Sequence, residues 1–428
     1  MRRADVAIIG AGVCGLSAAR LLSRFGVSSV VLEASERIGG RVLTLRRPGW
    51  SLPIELGAEF VHGRPAPTLA LGGGGLRLVH VPEQRVRVGS ELVPEPMPNV
   101  WRRLAELLAP ARDADDAESV ADFLARSRPA AADQELVRSL VEGFHAAPLR
   151  EASARAVALD AQAAASSEQY RTADGYDGVL AQLEHGLSRG PCQVELGKRV
   201  RRVRWRPGRV ELTLHGRDGA QQLEARCCII TVSLGVLRAP HEDGIAIEPA
   251  PPSFDVLPRL GMGSALRVVL RLSQLPWLPT VAGQEVTFAH VPGAAFETLW
   301  RETRAGQQQV TAWAGGPKAE QLSRLTSAEQ VSQALASLAA AIGSTPSACR
   351  VALLEAHCHD FQQDELFRGA YSFARAGAGD AARRLAEPCD GTLFFAGEAV
   401  DAQHPGTVAG ALGSGEHAAR QVLASRAA

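Results

Sequence analysis

A glycine-rich turn near the N-terminus constrains the fold of this chain more than any other feature. The apolar segment 5–9 is followed at once by GAGVCG at 10–15 and then by apolar residues at helical spacing. A second apolar segment, 28–32, ends on Glu33. This order of strand, turn, helix, strand and acid is typical of a βαβ unit that binds a dinucleotide.

Each part of this unit has a physical task. Gly10 permits the tight turn, Gly12 lets the backbone approach a pyrophosphate, and Gly15 lets the helix pack closely on the strand. The first N–H groups of the helix and its partial positive charge favour phosphate. Glu33 can accept hydrogen bonds from both ribose hydroxyls, and its charge disfavours the 2′-phosphate of NADP. The turn alone does not distinguish FAD from NAD, and glycine-rich turns also occur without a ligand.

The sequence EASERIGGR at 33–41 narrows the choice of cofactor. It resembles the extended signature of the glutathione-reductase-like flavoproteins, in which Gly-Gly-Arg follows the ribose-binding acid and wraps the FAD pyrophosphate. The two glycines give access to the backbone, and Arg41 offers a planar fork of donors to phosphate oxygens. The alternative is an ordinary glycine-rich loop with a solvated arginine.

A second cofactor-binding segment is predicted near the C-terminus. An apolar strand at 393–395 leads through AGEA at 396–399 to PGTVAGALGSG at 405–415. A helical pattern begins at Val408 and continues past Ala418, which would aim a second helix N-terminus at the cofactor. Small residues leave one face of this helix nearly bare, and such a face packs closely either on a flat ring or on another helix.

Taken together, these segments resemble the flavin-containing amine oxidase family, which includes monoamine oxidases, polyamine oxidases and lysine-specific histone demethylases. Further segments that carry the resemblance are GAEFVHG at 57–63, KRV at 198–200, TVSLGVL at 231–237 and GAYS at 369–372. The resemblance implies an α/β fold, with a glutathione-reductase-like FAD-binding Rossmann domain and an α+β substrate domain formed from inserted segments.

The motifs and the resemblance together predict which residues bind FAD. Some belong to the two turns at the helix N-termini, and others match family positions along the adenosine or beside the flavin ring. The predicted set is Gly10, Gly12, Val13, Cys14, Gly15, Glu33, Ala34, Gly40, Arg41, Glu59, Phe60, Val200, Gly397, Glu398, Thr407 and Val408.

The resemblance also implies catalytic residues. In the family, the residue that matches Tyr371 is one wall of an aromatic cage that guides the substrate nitrogen to the flavin, and Thr407 matches the opposite wall, as in polyamine oxidases and demethylases. His62 matches a position that is ionisable in several polyamine oxidases, and we expect it to control protonation of the amine. Glu59 is predicted to bind a cationic end of the substrate. The alternatives are a structural histidine and a ribityl or backbone contact.

Three positions depart from the family pattern. Arg267 stands where the family commonly has a lysine that holds a water on flavin N5, and it completes the predicted catalytic set because an arginine could reach a substrate carboxylate or carbonyl with two hydrogen bonds. Ala370 stands where monoamine oxidases attach FAD through a cysteine, so we expect non-covalent flavin. Phe361 replaces a tryptophan that is common upstream of the 369–372 motif.

The two predicted domains are each assembled from separated segments. The FAD-binding domain contains the glycine-rich turn and both ends of the chain. The substrate-binding domain fills the intervals, so the predicted boundaries are 1–75, 166–240 and 353–428 for the first domain, and 76–165 and 241–352 for the second.

Periodicity predicts different structures in the two substrate-binding segments. Residues 100–165 have the apolar spacing of helices, whereas 265–315 alternate in the way that antiparallel strands do. Gly72 to Gly75 is predicted to be a flexible link after the first segment.

Charge and cysteine content exclude several kinds of function. Lys+Arg and Asp+Glu both total 46, so no net field attracts nucleic acid or an anionic membrane. Seven cysteines without a Cys-x-x-Cys pair argue against a disulfide framework or a metal site and favour a reducing cytoplasm. No apolar run reaches the roughly 18–20 residues of a membrane helix. Abundant Ala and Arg are typical of a GC-rich bacterial gene, and we expect a monomer or a homodimer.

The predicted function is an FAD-dependent oxidase of the amine oxidase type, which acts on a small amine-like substrate and O2. A hydride would pass from the carbon of the C–N bond to flavin N5, the imine would hydrolyse, and O2 would be reduced to H2O2. One alternative is an L-amino acid oxidase, an amide oxidase or a desaturase-type tailoring enzyme on the same fold, which Arg267 favours. Another is a flavin-binding protein without turnover.

Overall fold

The computed structural model describes residues 2–71, 76–82, 84–89, 91–95, 97–113, 115–187, 190–217, 219–281 and 283–427. The predicted link Gly72–Gly75 lies outside these residues. Within these ranges, no helix is both long and apolar enough to cross a membrane. The helices are α1 (Val13–Arg24), α2 (Ala66–Ala70), α3 (Met97–Leu107), α4 (Val120–Ser127), α5 (Ala131–Gly143), α6 (Ala154–Ala164), α7 (Asp177–Leu187), α8 (Leu234–Leu237), α9 (Gly316–Leu322), α10 (Ser327–Ile342), α11 (Pro346–Ala352), α12 (Ala381–Leu385) and α13 (Val408–Ala427), with 3-10 turns at Ala109–Ala111 and Pro252–Arg259.

The strands are interspersed with these helices. They are β1 (Arg2–Ile9), β2 (Ser29–Leu32), β3 (Thr44–Leu45), β4 (Ile54–Glu55), β5 (Phe60–His62), β6 (Leu78–His80), β7 (Arg85–Val88), β8 (Leu92–Pro94), β9 (Gln169–Thr172), β10 (Cys192–Glu195), β11 (Arg199–Arg206), β12 (Arg209–Gly216), β13 (Gly219–Ile230), β14 (Ala246–Glu248), β15 (Leu260–Gly263), β16 (Ala265–Leu272), β17 (Phe288–His290), β18 (Thr298–Arg304), β19 (Gln307–Gly315), β20 (Leu353–Cys358), β21 (Tyr371–Ala374) and β22 (Leu393–Phe395).

The N-terminal βαβ unit lies in an eight-stranded sheet. Its strands follow the order β10-β2-β1-β13-β12-β11-β14, and β22 pairs with β13. β1 is parallel to β2 and β13, whereas β11, β12 and β13 form an antiparallel meander. The side chains of β1 alternate between two buried faces: Val6 and Ile8 pack with α1, α7 and α13, and Ala7 and Ile9 join the core on the other face.

A second sheet and a helical layer make up the rest of the fold. The sheet follows the order β20-β16-β19-β18-β17-β7-β8, with antiparallel pairing from β16 to β17. Helices α9 and α10 cover it around Phe296 and Leu338. Helices α3 to α6 enclose a separate core that contains Trp101, Phe123 and Leu140. The helices predicted for 100–165 and the antiparallel strands predicted for 265–315 are confirmed.

The predicted fold class is confirmed, because a Rossmann-type α/β layer is joined to an α+β layer formed from inserted segments. The domain boundaries stay predictions, and two strands cross them. β20 pairs with β16 in the second sheet, although it falls in the segment predicted for the FAD-binding domain. β14 pairs with β11 in the nucleotide-binding sheet, although it falls in the other predicted domain. Each short strand forms its backbone hydrogen bonds with the sheet edge that lies nearest in space, whichever predicted domain its residues belong to.

The bare face of α13 packs against α1. A Cβ atom at Gly415 would lie 2.2 Å from the main-chain oxygen of Cys14, so only glycine fits this crossing. Close to it, the Ser17 hydroxyl donates to the Leu412 main-chain oxygen at 2.9 Å. At this position the small residues therefore serve helix–helix packing, which was one of the two alternatives that the sequence left open.

Substitution of Gly415 should destabilise the protein. Gly415→Ala would force α1 and α13 apart, and overpacking of this kind costs about 1–3 kcal/mol, offset in part by the better helix propensity of alanine. The melting temperature followed by circular dichroism should therefore fall. Gly178→Ala in α7 is the control, because its Cβ would lie 3.6 Å from Leu76 in ordinary contact. Equal melting temperatures for Gly415→Ala and the wild type would contradict the close crossing.

Candidate active site

One continuous cavity of about 1240 Å³ lies between the eight-stranded sheet and the second sheet. Its lining includes Glu33 on the first sheet, Trp313 on the second and Asp160 in the helical layer. Its volume exceeds the roughly 300–1,000 Å³ of a typical small-ligand pocket, so it suits a dinucleotide together with a substrate. All the predicted site residues line this cavity except Gly15.

Gly15 does not line the cavity, and its place in the cofactor-binding set stays a prediction. Its Cβ would lie 2.0 Å from the main-chain oxygen of Gly10, so the residue is a glycine because α1 packs tightly on the turn. Gly10 has a φ of 104° and also depends on its neighbours, since a Cβ there would lie 2.8 Å from the Thr231 hydroxyl. Both glycines shape the turn from inside the protein.

Gly12 differs from Gly10 and Gly15, because no neighbouring protein atom requires a glycine at this position. Its φ is −71°, which any residue adopts, and a Cβ there would meet nothing within 4 Å. The residue lines the cavity at the N-terminus of α1. The space that a side chain would fill is therefore open to a ligand, as expected where a pyrophosphate approaches the backbone.

Glu33 lies buried at the end of β2. One carboxylate oxygen accepts from the Ala11 amide at 2.7 Å and the other from the Ser35 amide at 2.8 Å. These bonds fix the carboxylate, and each oxygen retains a lone pair for a hydroxyl group of a ligand. Ala34 and Val200 line the same end of the cavity.

A loop that sequence reasoning missed closes the nucleotide end. The Glu365 carboxylate pairs with the Arg199 guanidinium at 2.8 Å, and the ring of Phe367 lies 3.8 Å from the Cβ position of Gly40. Residues 362–368, within the stretch between β20 and β21, carry no motif, so only their position in the fold reveals this role.

Arg41 and Glu398 form a hydrogen-bonded ion pair on the wall of the cavity. Arg41 donates through Nη1 to the Ala370 main-chain oxygen at 2.8 Å and to Glu398 at 2.7 Å. The second Glu398 oxygen accepts from the Ser372 hydroxyl and amide. A phosphate would therefore have to use the Nε and Nη2 donors of Arg41, and Glu398 would act on a ligand mainly by holding Arg41.

The start of α13 brings Thr407 beside Tyr371. The Thr407 hydroxyl donates to the His404 main-chain oxygen at 2.7 Å and accepts from the Gly410 amide at 3.0 Å, which caps the helix. A Cβ at Gly406 would lie 3.7 Å from the Tyr371 ring. The structure therefore places the two predicted cage residues on neighbouring segments, with Gly397 and Val408 on the same wall.

Main-chain carbonyls hold two aromatic side chains of this region. The Tyr371 hydroxyl donates to the Phe144 oxygen at 2.6 Å, and the Trp313 indole donates to the Gly143 oxygen at 2.8 Å. Burial raises the pKa of Tyr371 above its ordinary value, so the phenol is neutral.

Glu59 and Arg267 are paired with each other. Arg267 is 5% exposed, and its Nη1 donor lies 3.1 Å from Glu59 and 2.8 Å from the Glu55 main-chain oxygen. Glu59 also accepts from Arg171 at 2.7 Å and from the Trp300 indole at 3.0 Å. The Glu59 carboxylate is therefore already paired within the protein, and its binding of a substrate cation stays a prediction.

His62 lies in β5 with its ring edge towards Phe144, at a centroid distance of 5.6 Å. Burial lowers the pKa of His62, and a hydrogen bond with Gln169 opposes this shift only in part. The imidazole is therefore neutral at pH 7 and can act as a hydrogen-bonding group. Phe60, in the same strand, packs on Trp300 at a centroid distance of 5.5 Å.

The helical layer contributes a carboxylate and a histidine that no motif indicated. Asp160 on α6 lines the cavity with its side chain 49% exposed, so it lies at the mouth. His145 Nδ1 is 4.0 Å from its Oδ2. Burial lowers the pKa of His145 to about 4. At neutral pH the histidine is uncharged and does not neutralise Asp160.

Comparisons with known proteins give the following similarities. The model of a family described as flavin containing amine oxidoreductase matches residues 13–423. The chain is 29% identical over 511 residues to polyamine oxidase 1 of Oryza sativa subsp. japonica, covering 99% of this chain and 97% of that protein. Its structure is similar to that of a putrescine oxidase bound to putrescine, with a TM-score of 0.82, 20% identity and 99% of both chains covered. Cyclohexylamine oxidase from Brevibacterium oxydans IH-35A gives a TM-score of 0.80 at 22% identity, covering 99% of this chain and 100% of that one.

Substitution of Gly12 should separate folding from cofactor binding. Gly12→Ala meets no protein atom, so its circular dichroism should equal that of the wild type. The added methyl group would occupy ligand space, and a clash of about 1–3 kcal/mol corresponds to roughly tenfold or more weaker flavin binding. Flavin content per polypeptide measures this loss. Gly89→Ala, outside the cavity, should retain flavin, and full flavin content in Gly12→Ala would contradict the assignment.

Proposed function

Since the chain belongs to the family of flavin-containing amine oxidoreductases, we propose that it binds FAD non-covalently and oxidises a C–N bond of a small amine. The observation that carries this proposal is the continuity of one cavity from Glu33, past the N-terminus of α1, to Tyr371 and Trp300. Such a cavity holds the dinucleotide and the substrate side by side. The open space at Gly12 and the buried, unpartnered Nε donor of Arg267 both fit a bound cofactor.

Two side chains support a non-covalent cofactor. Ala370 has no nucleophile at the position where the family resemblance would place an attachment. Cys14 lines the cavity, but burial raises its pKa well above the ordinary value, so it stays a thiol rather than a reactive thiolate.

The protein would supply orientation and a dry environment for the reaction. Bound FAD would supply the redox chemistry, as acceptor of a hydride from the carbon next to the amine nitrogen and as donor of two electrons, with a proton, to O2 to give H2O2. Tyr371 and Thr407 would orient the nitrogen, and Trp300 and Trp313 would exclude water. Because a low-dielectric pocket disfavours the ammonium form, the amine would bind with its lone pair free. Neutral His62 can accept the proton that leaves, and the imine product hydrolyses in water.

Asp160 favours an amine that carries a second positive charge. It is a carboxylate at the mouth of the cavity, and its neighbour His145 is neutral at pH 7. An ammonium group at the far end of a diamine or polyamine would satisfy it. The relatives named as polyamine and putrescine oxidases support the same class of substrate.

Anaerobic reduction of the flavin tests the proposed reaction. Putrescine, butylamine, L-amino acids and simple amides would each be mixed with the purified yellow protein. We expect amines to bleach the oxidised flavin band and peroxide to appear when O2 is readmitted. Bleaching by amino acids or amides alone would favour the other oxidations on this fold. Protein that is bleached by none of these compounds would instead be a flavoprotein without turnover.

Removal of the charge on Asp160 tests the class of amine. Asp160→Asn should lower kcat/KM for putrescine about two- to fivefold, because an ion pair with a half-exposed carboxylate contributes up to about 1 kcal/mol. The loss should lie mainly in KM, whereas butylamine should be oxidised as by the wild type. Asp174→Asn removes an exposed carboxylate outside the cavity and should change neither substrate. An equal loss for both amines in Asp160→Asn would refute a specific role in binding the second charge.

A further inference from the structure

Arg267 is a buried charge on the wall of the substrate half of the cavity. Its guanidinium lies between two indole rings, 5.3 Å from the centroid of Trp300 and 5.5 Å from that of Trp313. Its Nη1 donor is used by Glu59 and Glu55, but its Nε donor is buried without a hydrogen-bond partner. An arginine keeps its charge in a protein, so an acceptor in the cavity would be stabilised here.

The surrounding acids offset this charge only in part. Glu59 lies between two guanidinium groups, since it also pairs with Arg171 at 2.7 Å. Burial raises the pKa of Glu55 to about 8, so this neighbour is mostly neutral at pH 7. Burial raises the pKa of Glu302 as well, against the opposing effect of Arg171. Glu59 therefore pairs with two guanidinium groups, while burial disfavours the ionised form of both acidic neighbours.

The layout of the cavity places this charge near the reducible ring of a bound flavin. Glu33 marks the ribose end, and the N-terminus of α1 at Val13 marks the phosphates. A dinucleotide that runs onward from there has its second ring system in the remaining part of the cavity. That part is lined by Glu59, Arg267 and Tyr371.

We propose that the Glu59–Arg267 pair sets the reduction potential of the bound flavin. Arg267 stabilises the negative charge that the ring gains on reduction, and Glu59 limits this stabilisation. The water-excluded site makes both effects stronger than they would be in bulk solvent. The inference rests on the proposed binding of FAD, but not on the identity of the amine.

The charge that the ring gains on reduction predicts whether each substitution raises or lowers the midpoint potential. Two electrons and one proton from a reductant convert the neutral oxidised ring into a reduced ring with one negative charge. Arg267→Met removes a stabilising positive charge, so the midpoint potential should fall. Glu59→Gln removes a negative charge while keeping an acceptor for the Trp300 indole, so the potential should rise. A merely structural role would not move the two variants in opposite directions.

The experiment is a reductive titration of the flavin-loaded proteins with xanthine and xanthine oxidase in the presence of a reference dye. We expect each substitution to change the ratio of affinities for reduced and oxidised flavin about tenfold, which is about 30 mV for a two-electron couple. Arg267→Lys keeps the charge and should stay closer to the wild type than Arg267→Met. If Arg267→Met does not retain flavin, the midpoint potentials of Glu59→Gln and Arg267→Lys still test the proposal.

A matched control lies four residues along the same strand. Arg271 also stacks on an indole, 4.2 Å from the Trp50 centroid, and pairs with Glu355, but neither residue lines the cavity. Arg271→Met and Glu355→Gln should leave the potential unchanged. Shifts of the same sign in Arg267→Met and Glu59→Gln, or no shift in Glu59→Gln, would overturn the proposal. The titration uses no amine, so a protein that oxidises no amine would defeat the proposed function and leave this inference standing.

Discussion

The close crossing of α1 and α13 is the contact on which the rest of this structure depends. Gly415 lies against the main chain at Cys14, which joins residues from opposite ends of the sequence without any intervening side chain. This contact directs two helix N-termini, at Val13 and Val408, into one cavity. Each terminus presents unpaired N–H groups and a partial positive charge, so together they favour an extended anionic cofactor. The second sheet and the helical layer then enclose the substrate half.

The sequence predicted most of the nucleotide half, because there the chemistry lies in backbone geometry that only certain residues permit. Gly10 requires a positive φ, Gly12 leaves space for a ligand, and the strand order around Glu33 follows from the βαβ pattern. It did not predict Asp160, His145 or the loop that carries Glu365. The contacts of these residues are with segments far away in the sequence. Local residue spacing does not show which distant side chains the fold brings together.

The partners of buried charged residues could not be predicted from the sequence either. Glu59 and Arg267 both line the cavity, but the sequence did not predict that they pair with each other. Their pairing depends on Arg171, Trp300 and the burial of all these groups, which are properties of the folded chain. A buried ion must be paired before it can serve a ligand, so the residue type alone does not tell which groups remain free.

The hydrogen bonds that hold Tyr371 and Trp313 have an evolutionary consequence. Both rings donate to main-chain carbonyls, those of Phe144 and Gly143, at the turn that follows α5. Every amino acid supplies the same main-chain carbonyl, so these two hydrogen bonds do not depend on which side chains the turn carries. The turn leads into the helices that form the mouth of the cavity. Substitutions at the mouth of the cavity can therefore accumulate without removing either hydrogen bond.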